Sequence, residues 1–352
     1  MPNEQAARLF PIFVRQSRSP KSFKAGFIDR QGHVVVEPIY DNAHPFREGI
    51  GSVKIRGLYA AINSAGQFLS EPVSDTGLIF SEGLAVFSRR GMSGIVDCLG
   101  NVLVSPRFRG ISHFDSGLAA VVSKDGSYGF INRVGHQVIP PFFDDARAFS
   151  EGLAAIKLAG KWGYVSSTGE SVVEPQFDCG NSVAGPFRNG FARVAVNNKW
   201  GYINASGQFI VPPEFDMALE FSEGFASVRI DRRWAFVNSA GDLVIGPSFR
   251  WVGAFSEGLA RATIGTEEAH KTVATARETG FIDVTGRFVI APQFLDAGRF
   301  VGGLCLVENQ KFIGYVNTEN SFVWKSAWVQ IGDFDPLHLF PRENSLPGKP
   351  IK

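Results

Sequence analysis

The sequence has few of the residues that support redox, metal or nucleic-acid chemistry. Its 352 residues include only three cysteines, which lie far apart and form no CxxC pair. This pattern predicts no disulfide framework and fits a reducing compartment. Lysine and arginine number 35 and aspartate and glutamate 34, so the formal net charge is +1. A balanced charge predicts neither a nucleic-acid partner nor attraction to an acidic membrane.

Long hydrophobic runs are lacking as well. No stretch approaches the roughly 18 apolar residues of a membrane-spanning helix, and the start, MPNEQAARLFPIFVRQ, does not have the pattern of a secretory signal. We therefore expect a cytoplasmic protein with no membrane segment. The six histidines form no HxxxH or HExxH pattern and none lies at metal-ligand spacing from a cysteine. The sequence thus predicts no metal site and no cofactor.

Glycine and phenylalanine are abundant instead, with 39 and 32 copies, because both belong to a repeat. A turn glycine recurs eight times, a proline follows six positions after each copy, and a Phe-x-x-Gly pattern such as FSEG comes later. A period of this length indicates a tandem array in which neighbouring repeats share a core. The eight turn glycines are Gly32, Gly66, Gly100, Gly135, Gly169, Gly207, Gly241 and Gly286.

Each repeat of about 34 residues predicts three short strands. Strand A resembles WGYIN, strand B resembles FIVPP and strand C resembles LAAIKL; all three are rich in β-branched and aromatic residues. We expect an antiparallel A–B–C meander in which the turn glycine has positive φ and the proline ends strand B. The segment between strands B and C, such as FDMALEFSEG, is expected to be a connection that closes on a left-handed glycine.

One face of strand C carries a small residue in every repeat, as at Gly51, Ala226 and Cys305. Such a row predicts close approach of neighbouring repeats, so strand C should lie on a crowded inner side. Cys305 is then expected to be a small buried residue without a redox role.

The two ends of the chain continue the pattern. LFPIFV at residues 9–14 predicts a strand C before the first repeat, and residues 312–324 predict a ninth A–B hairpin with Asn320 in place of the turn glycine. We expect an N-terminal cap with one strand over residues 1–22, the repeat array over 23–325, and a C-terminal cap with a loose tail over 326–352.

The motifs of the repeat carry a family likeness. KWGYV, KWGYI and RWAFV, followed by GxxVxxPxFD and FSEGLA, resemble the bacterial WG repeat, also called the KWG repeat. The resemblance covers about residues 23–325 and implies a tandem β-repeat protein, usually without assigned catalysis. It also implies that copy number varies between members, which favours an open superhelical, solenoid-like array. A closed propeller-like ring is the alternative, in which the leading strand C would complete the trailing A–B hairpin.

No catalytic constellation stands out in the sequence. The repeat tryptophan is present only at Trp162, Trp200 and Trp234, so packing explains it better than ligand binding. The glutamate before the second glycine is interpreted as a solvated turn residue that could contribute to a binding rim. This glutamate is Glu48, Glu82, Glu151, Glu223 or Glu257.

The function predicted from these features is that of a non-catalytic scaffold that binds another macromolecule, most directly a protein. A toxin-neutralising immunity or inhibitor protein is one form of this hypothesis. The alternative is a saccharide-binding protein or hydrolase with its site at the centre of a closed ring. Insertions in repeat proteins often mark the binding face, so the candidate binding residues lie in two longer loops. They are Glu267, Glu268, His270, Lys271, Arg277 and Asn181.

Overall fold

The computed structural model describes residues 8–15, 23–180, 182–265, 278–309 and 311–327. These residues fall into two compact units, and each is described by itself. The first contains residues 8–159 and 165–170, and the second contains residues 160–164 and 171–327. The expected C-terminal tail lies almost wholly outside the described residues.

The described residues contain β-strands and no helix, and the strands form nine sheets of consecutive strands. Sheets 1 to 3 contain β1 (Phe10–Arg15), β2 (Phe23–Ile28) and β3 (Val34–Tyr40); β4 (Asn42–Arg47), β5 (Ile50–Ile55) and β6 (Leu58–Ile62); and β7 (Phe80–Ser81), β8 (Leu84–Arg89), β9 (Met92–Asp97) and β10 (Val102–Phe108). Sheets 4 and 5 contain β11 (Gly110–Ile111), β12 (Leu118–Val122), β13 (Tyr128–Asn132) and β14 (Gln137–Phe143); and β15 (Asp145–Ser150), β16 (Leu153–Leu158), β17 (Lys161–Ser166) and β18 (Ser171–Phe177).

The remaining four sheets lie in the second unit. Sheets 6 and 7 contain β19 (Ala192–Val196), β20 (Lys199–Ile203) and β21 (Phe209–Phe215); and β22 (Met217–Ser222), β23 (Phe225–Ile230), β24 (Arg233–Asn238) and β25 (Leu243–Phe249). Sheets 8 and 9 contain β26 (Trp251–Val252), β27 (Ala260–Thr263), β28 (Thr279–Ile282) and β29 (Phe288–Phe294); and β30 (Asp296–Ala297), β31 (Leu304–Glu308), β32 (Phe312–Asn317) and β33 (Phe322–Ala327).

Strands A, B and C form as expected, but their order within a sheet is different. A full sheet such as β22-β23-β24-β25 has the antiparallel order D-C-A-B, where strand D is the segment expected to be a connection. Strand C joins the following strand A because the two are separated only by a tight turn. In sheet 7 this turn is Asp231–Arg232, with φ of 47° and 66°. The predicted A–B–C meander is therefore wrong in its grouping of strands.

This order also corrects the predicted arrangement of the array. A four-stranded antiparallel meander of consecutive strands is the blade of a β-propeller. The sheets therefore match the propeller-like alternative, and the preferred open superhelical array is wrong. Variable copy number favoured the open array, but it does not constrain the geometry of a sheet. The leading strand β1 pairs with β2, and β31 pairs with β32, so the leading strand does not complete the trailing hairpin.

Aromatic side chains connect neighbouring sheets within each unit. The ring of Tyr202 on β20 meets that of Phe221 on β22 with 4.8 Å between centroids, and Phe27 meets Phe46 in the same way at 4.8 Å. Phe221 is the register partner of Ala226 on strand C of its own sheet. In sheets 2 and 7 the small residue of strand C thus accommodates the phenylalanine of strand D in the same sheet, because a Cβ added to Gly51 would lie 2.6 Å from the Phe46 ring.

The glycine that follows the repeat tryptophan faces an irregular part of strand B. A Cβ atom added to Gly201 would lie 2.5 Å from the carbonyl oxygen of Val211 and 2.8 Å from the nitrogen of Pro213. Pro213 lies inside strand β21 and not at its end, because strand B is the edge strand and contains a bulge there. The turn glycine Gly207 has φ of 80°, as predicted.

Candidate functional site

The binding residues predicted from the two longer loops lie outside the described residues. They are Glu267, Glu268, His270, Lys271, Arg277 and Asn181. At the base of the first loop the N–H of Ile264 donates to the carbonyl of Glu278, at 3.4 Å between nitrogen and oxygen. The insertion lies between β27 and β28 in the chain, and its role in binding stays a prediction.

The repeated glutamates have a structural role that the sequence did not indicate. Glu223 accepts hydrogen bonds from the N–H groups of Glu257 and Gly258 in the next sheet, at 2.7 and 2.9 Å. Glu48 does the same with Glu82 and Gly83, at 2.8 Å each. Glutamate in these repeats is therefore a contact between sheets and not a freely solvated turn residue. A binding rim made of these carboxylates is not supported.

The serine before such a glutamate adds a second contact. The hydroxyl of Ser222 donates to the carbonyl of Phe255 at 2.7 Å, and that of Ser256 donates to the carbonyl of Phe300 at 2.6 Å. The FSEG pattern is thus explained by one buried ring, one hydroxyl and one carboxylate, all directed to neighbouring residues of the same or the next sheet.

Strand B of one repeat departs from this regular construction. We call residues 60–79 the altered segment; it follows Tyr59 in sheet 2. The strand B expected here is reduced to isolated bridges that join Ile62 to Phe68 and Tyr59 to Ser74. Sheet 2 consequently has the order D-C-A.

Three large apolar residues of a regular repeat are replaced by small ones in the altered segment. Ala61 stands where β20 has Tyr202, and Ser70 stands where strand B has Val211. Ser74 is fully buried and occupies the position of Phe215. The position of Ser74 is aromatic in every other complete repeat. Those residues are Tyr40, Phe108, Phe143, Phe177, Phe215, Phe249 and Phe294.

Buried serines add hydrogen bonds to the backbone bonds that the segment keeps with strand β6, such as the one from the N–H of Tyr59 to the carbonyl of Ser74 at 2.8 Å. Ser74 Oγ accepts from the N–H groups of Thr76 and Ser88, at 3.2 and 3.1 Å. Ser70 Oγ accepts from the N–H of Ala61 at 2.9 Å. Ser52 Oγ, on the neighbouring strand C, accepts from the N–H of Leu78 at 2.9 Å. The altered segment therefore has a defined backbone.

Polar side chains from strands β4 to β6 collect beside this segment. The amide of Asn42 donates to the hydroxyl of Tyr59 at 3.0 Å, and the imidazole of His44 lies 5.3 Å from the Tyr59 ring between centroids. A Cβ added to Gly77 would lie 2.3 Å from His44 Nε2. His44 is thus packed against the backbone of the altered segment, and Gly77 provides the room for it.

Burial controls the ionisation of the groups in this region and elsewhere. Desolvation lowers the pKa of His44 to about 4, so the imidazole is neutral at pH 7. Burial likewise raises the pKa of Tyr59, although the hydrogen bond from Asn42 opposes this rise. It also raises the pKa of the Cys305 thiol, which is fully buried in a hydrophobic cluster as expected.

The surface of the altered segment combines apolar and acidic side chains. Phe68 is 49% exposed and Ile79 is 38% exposed. Glu71 and Asp75 are exposed beside them in sequence. An exposed aromatic residue with acidic neighbours is suited to binding a partner and offers no set of groups for acid–base catalysis.

The repeat tryptophans do not contribute to a surface. Trp162, Trp200 and Trp234 are at most 7% exposed, which confirms the packing interpretation. Among the residues that the structure describes, no three histidine, cysteine, aspartate or glutamate side chains are placed to hold a metal ion. Within the same ranges there is no helix of the length and apolar character needed to cross a membrane.

Sequence reasoning did not identify the altered segment. The glycine, proline and phenylalanine spacings of this repeat are preserved, at Gly66, Pro72 and Phe80, so the spacings do not distinguish it from the other repeats. The available signal was a comparison of corresponding positions, because Ala61 and Ser74 each replace a residue that is large in the other repeats.

Solved structures show a likeness in fold. The protein in a crystal structure of the eukaryotic initiation factor is 12% identical, covers 91% of this chain and 96% of its own, and has a TM-score of 0.64. BamB from Moraxella catarrhalis is 8% identical over 74% of this chain and 88% of its own, with a TM-score of 0.47. AztD from Citrobacter koseri is 12% identical, covers 91% of this chain and 95% of its own, and has a TM-score of 0.43. Only the first score exceeds 0.5, and it supports the fold alone.

No curated protein matches this chain. The family described as WG containing repeat matches seven segments, and together they make up more than half of the chain. They are residues 26–59, 94–127, 128–162, 162–200, 200–234, 234–265 and 280–311. The matches pass over residues 60–93, which contain the altered segment. The chain belongs to the WG containing repeat family.

Proposed function

We propose that the chain is a non-catalytic scaffold that binds a protein, and that the altered segment is its docking surface. The observation that carries the proposal is the replacement of buried large residues by small and polar ones at a single repeat, with an ordered backbone retained. Small residues in place of buried aromatic rings bury less apolar surface, which lowers stability. Packing alone therefore does not account for the altered segment, whereas a surface specific to one partner does.

The side chains on this surface favour a protein as the partner. Aromatic residues are enriched at protein interfaces, and Phe68 is half exposed. The acidic neighbours Glu71 and Asp75 disfavour a nucleic acid, because its phosphates would be repelled. An immunity or inhibitor role is one form of this proposal and requires a cognate toxin as the partner. We place the scaffold in the cytoplasm on the cysteine pattern alone.

The alternative of a saccharide-binding protein or hydrolase is not favoured. The half-buried His44 is packed against Gly77 and has its pKa lowered by burial, with no carboxylate in hydrogen-bonding contact. Asp145 has a raised pKa, but it forms an ion pair with Arg147 at 2.8 Å. A glycosidase needs two carboxyl groups facing one substrate, and these residues do not provide that arrangement.

The test is affinity capture from the source cell's lysate with the intact chain and with Phe68→Ser. The matched control is Phe209→Ser, because Phe209 has the corresponding position in a regular repeat and is 39% exposed. We expect a stoichiometric partner that is lost with Phe68→Ser and retained with Phe209→Ser. Equal recovery with both variants would contradict docking at the altered segment.

A third variant, with residues 266–277 replaced by a short turn, addresses the insertion. Loss of the partner from this variant alone would move the docking surface to the insertion. The absence of a stoichiometric partner from every sample would contradict the protein-binding scaffold itself.

A further inference from the structure

The two-residue turn between strands D and C is a carboxylate receptor that the chain uses repeatedly. In each case two consecutive residues have positive φ. The carboxylate of Glu223 accepts from both N–H groups of the Glu257–Gly258 turn, and that of Glu257 accepts from both N–H groups of the Gly302–Gly303 turn. Two adjacent backbone N–H groups in such a conformation form an anion-binding concavity.

The Glu223–Gly224 turn has the same conformation but receives no glutamate. Its φ angles are 52° and 83°, close to the 55° and 78° of Glu257 and Gly258. The residue in the preceding repeat that would supply the carboxylate is Asn189. Neither N–H of the Glu223–Gly224 turn has a hydrogen-bond partner among the described residues.

The glutamate of this turn points away from its own backbone N–H groups. The side chain of Glu223 is directed to the next turn, where its two oxygens are both bonded. It therefore does not occupy the receptor formed by its own backbone.

We propose that the Glu223–Gly224 turn binds an external carboxylate, supplied by an aspartate or glutamate side chain of the partner protein. The same turn in other repeats binds a carboxylate through both oxygens, which sets the chemical class of the ligand. The identity of the source as a protein rests on the proposed function. The affinity of the turn for a carboxylate does not, and it is testable with a small probe.

The experiment follows backbone amides of the full chain labelled with 15N-glycine during titration with sodium acetate at constant ionic strength. We expect a saturable shift of the Gly224 amide and none for Gly258, whose turn is already occupied. Asn189→Glu should abolish the Gly224 response, because it supplies the missing carboxylate within the chain. Glu223→Ala should make the Gly258 amide respond.

Two results would overturn the inference. One is a Gly224 amide that responds no more than Gly258 in the unmodified chain. The other is a Gly224 response that is unchanged in Asn189→Glu. Ser116→Glu is the matched control, because it adds a glutamate at the corresponding position of another repeat and should leave Gly224 unaffected.

Capture of the partner then separates the two proposals. Asn189→Glu should weaken binding by about tenfold, which corresponds to one lost contact of about 1.4 kcal/mol, while Phe68→Ser should abolish it. A partner that is lost with Phe68→Ser but binds Asn189→Glu normally would support the scaffold and refute an acidic contact at this turn. A normal acetate response with no partner would leave the receptor standing and contradict the scaffold.

Discussion

The strands β20–β21 and the altered segment show two ways of completing the same repeat. The first has Tyr202, Val211 and Phe215 buried between neighbouring strands and sheets. The second has Ala61, Ser70 and Ser74 at the corresponding positions. In the first, backbone pairing along strand B satisfies the polar groups; in the second, the strand is reduced to isolated bridges and serine hydroxyls add to the remaining backbone bonds.

The comparison teaches that repeat spacing and repeat packing are separate properties. The turn glycine, the proline and the phenylalanine keep their positions in the altered segment, so the chain reverses direction at the same places. Side chains that fill the space between the turns are exchanged without loss of order. A repeat protein can therefore change one surface without changing the array.

Replacing Gly201 with alanine has the largest expected effect. The added Cβ would lie 2.5 Å from a backbone oxygen of strand B, so the edge strand must move, at a cost of about 3 kcal/mol in the free energy of unfolding. The altered segment has Ala60 at the corresponding position and lacks a regular strand B. Ala60→Gly should cost under about 1 kcal/mol. Urea denaturation of both variants checks this, and equal costs would contradict the role of the bulge.

The second-largest expected effect is a loss of stability around His44 on acidification. The pKa is about 4 when folded and near 6.5 when unfolded, so the unfolded chain binds the proton first as the pH falls. This contribution to stability is complete above about pH 6.5 and is lost between about pH 6.5 and 4. Because the imidazole is only partly buried, we expect acidification to lower the free energy of unfolding by about 2 kcal/mol through this group.

The pH dependence is measured by urea denaturation of the intact chain and of His44→Leu between about pH 7 and 4. The comparison variant is His33→Asn, because His33 is exposed and lies beside Asp29 in the same unit. We expect His33→Asn to keep most of the acid sensitivity of the intact chain and His44→Leu to lose it. A His44→Leu variant that loses as much stability on acidification as the intact chain would refute the assignment.

Removing the Ser74 hydroxyl should lower the free energy of unfolding slightly less than protonation of His44 does. Ser74→Ala leaves the N–H groups of Thr76 and Ser88 without their acceptor in a partly buried place, and we expect the free energy of unfolding to fall by about 1.5 kcal/mol. Ser206 in a regular turn is exposed and bonds only within its own turn. Ser206→Ala should change the unfolding free energy by less than about 0.5 kcal/mol. Similar losses for the two variants, measured by urea denaturation, would show that the Ser74 hydroxyl does not stabilise the altered segment.

The glutamate contacts should show the smallest effect and no difference between the two regions. Glu48→Gln weakens the contact with the turn at Glu82 and Gly83, which follows the altered segment. Glu257→Gln weakens the same contact in a regular part. Each substitution should lower the free energy of unfolding by about 0.5 kcal/mol, because the groups are solvent-exposed. A much larger cost for Glu48→Gln, measured by thermal unfolding, would show that the altered segment depends on it.

Much of the local structure could be predicted from the sequence. Positive φ at Gly207, burial of Cys305 and the ninth hairpin with Asn320 at φ of 62° are all confirmed. These features depend on residues a few positions apart. The predicted A–B–C grouping was wrong because strand D carries no strong pattern of its own. The preferred open array was wrong because variable copy number, on which it rested, does not constrain the geometry of a sheet.

The candidate site could be predicted far less well. Binding residues were predicted in the longer loops because length changes are visible in a sequence. Those residues lie outside the described ranges. The altered segment is marked in the sequence only by small residues such as Ala61 and Ser74. The hydrogen bonds that order it are visible only when the neighbouring strands are in place. Its polar partners, such as Asn42 and Tyr59, lie 17 residues apart.

The sequence by itself determined the period, the strands and the tight turns of this protein, because glycine, proline and β-branched residues act on the backbone within a few positions. The tertiary structure alone decided the grouping of strands into propeller-type sheets and the use of glutamate as a contact between turns. Those features depend on atoms brought together from residues about one repeat apart, and only packing selects among the contacts that the sequence permits.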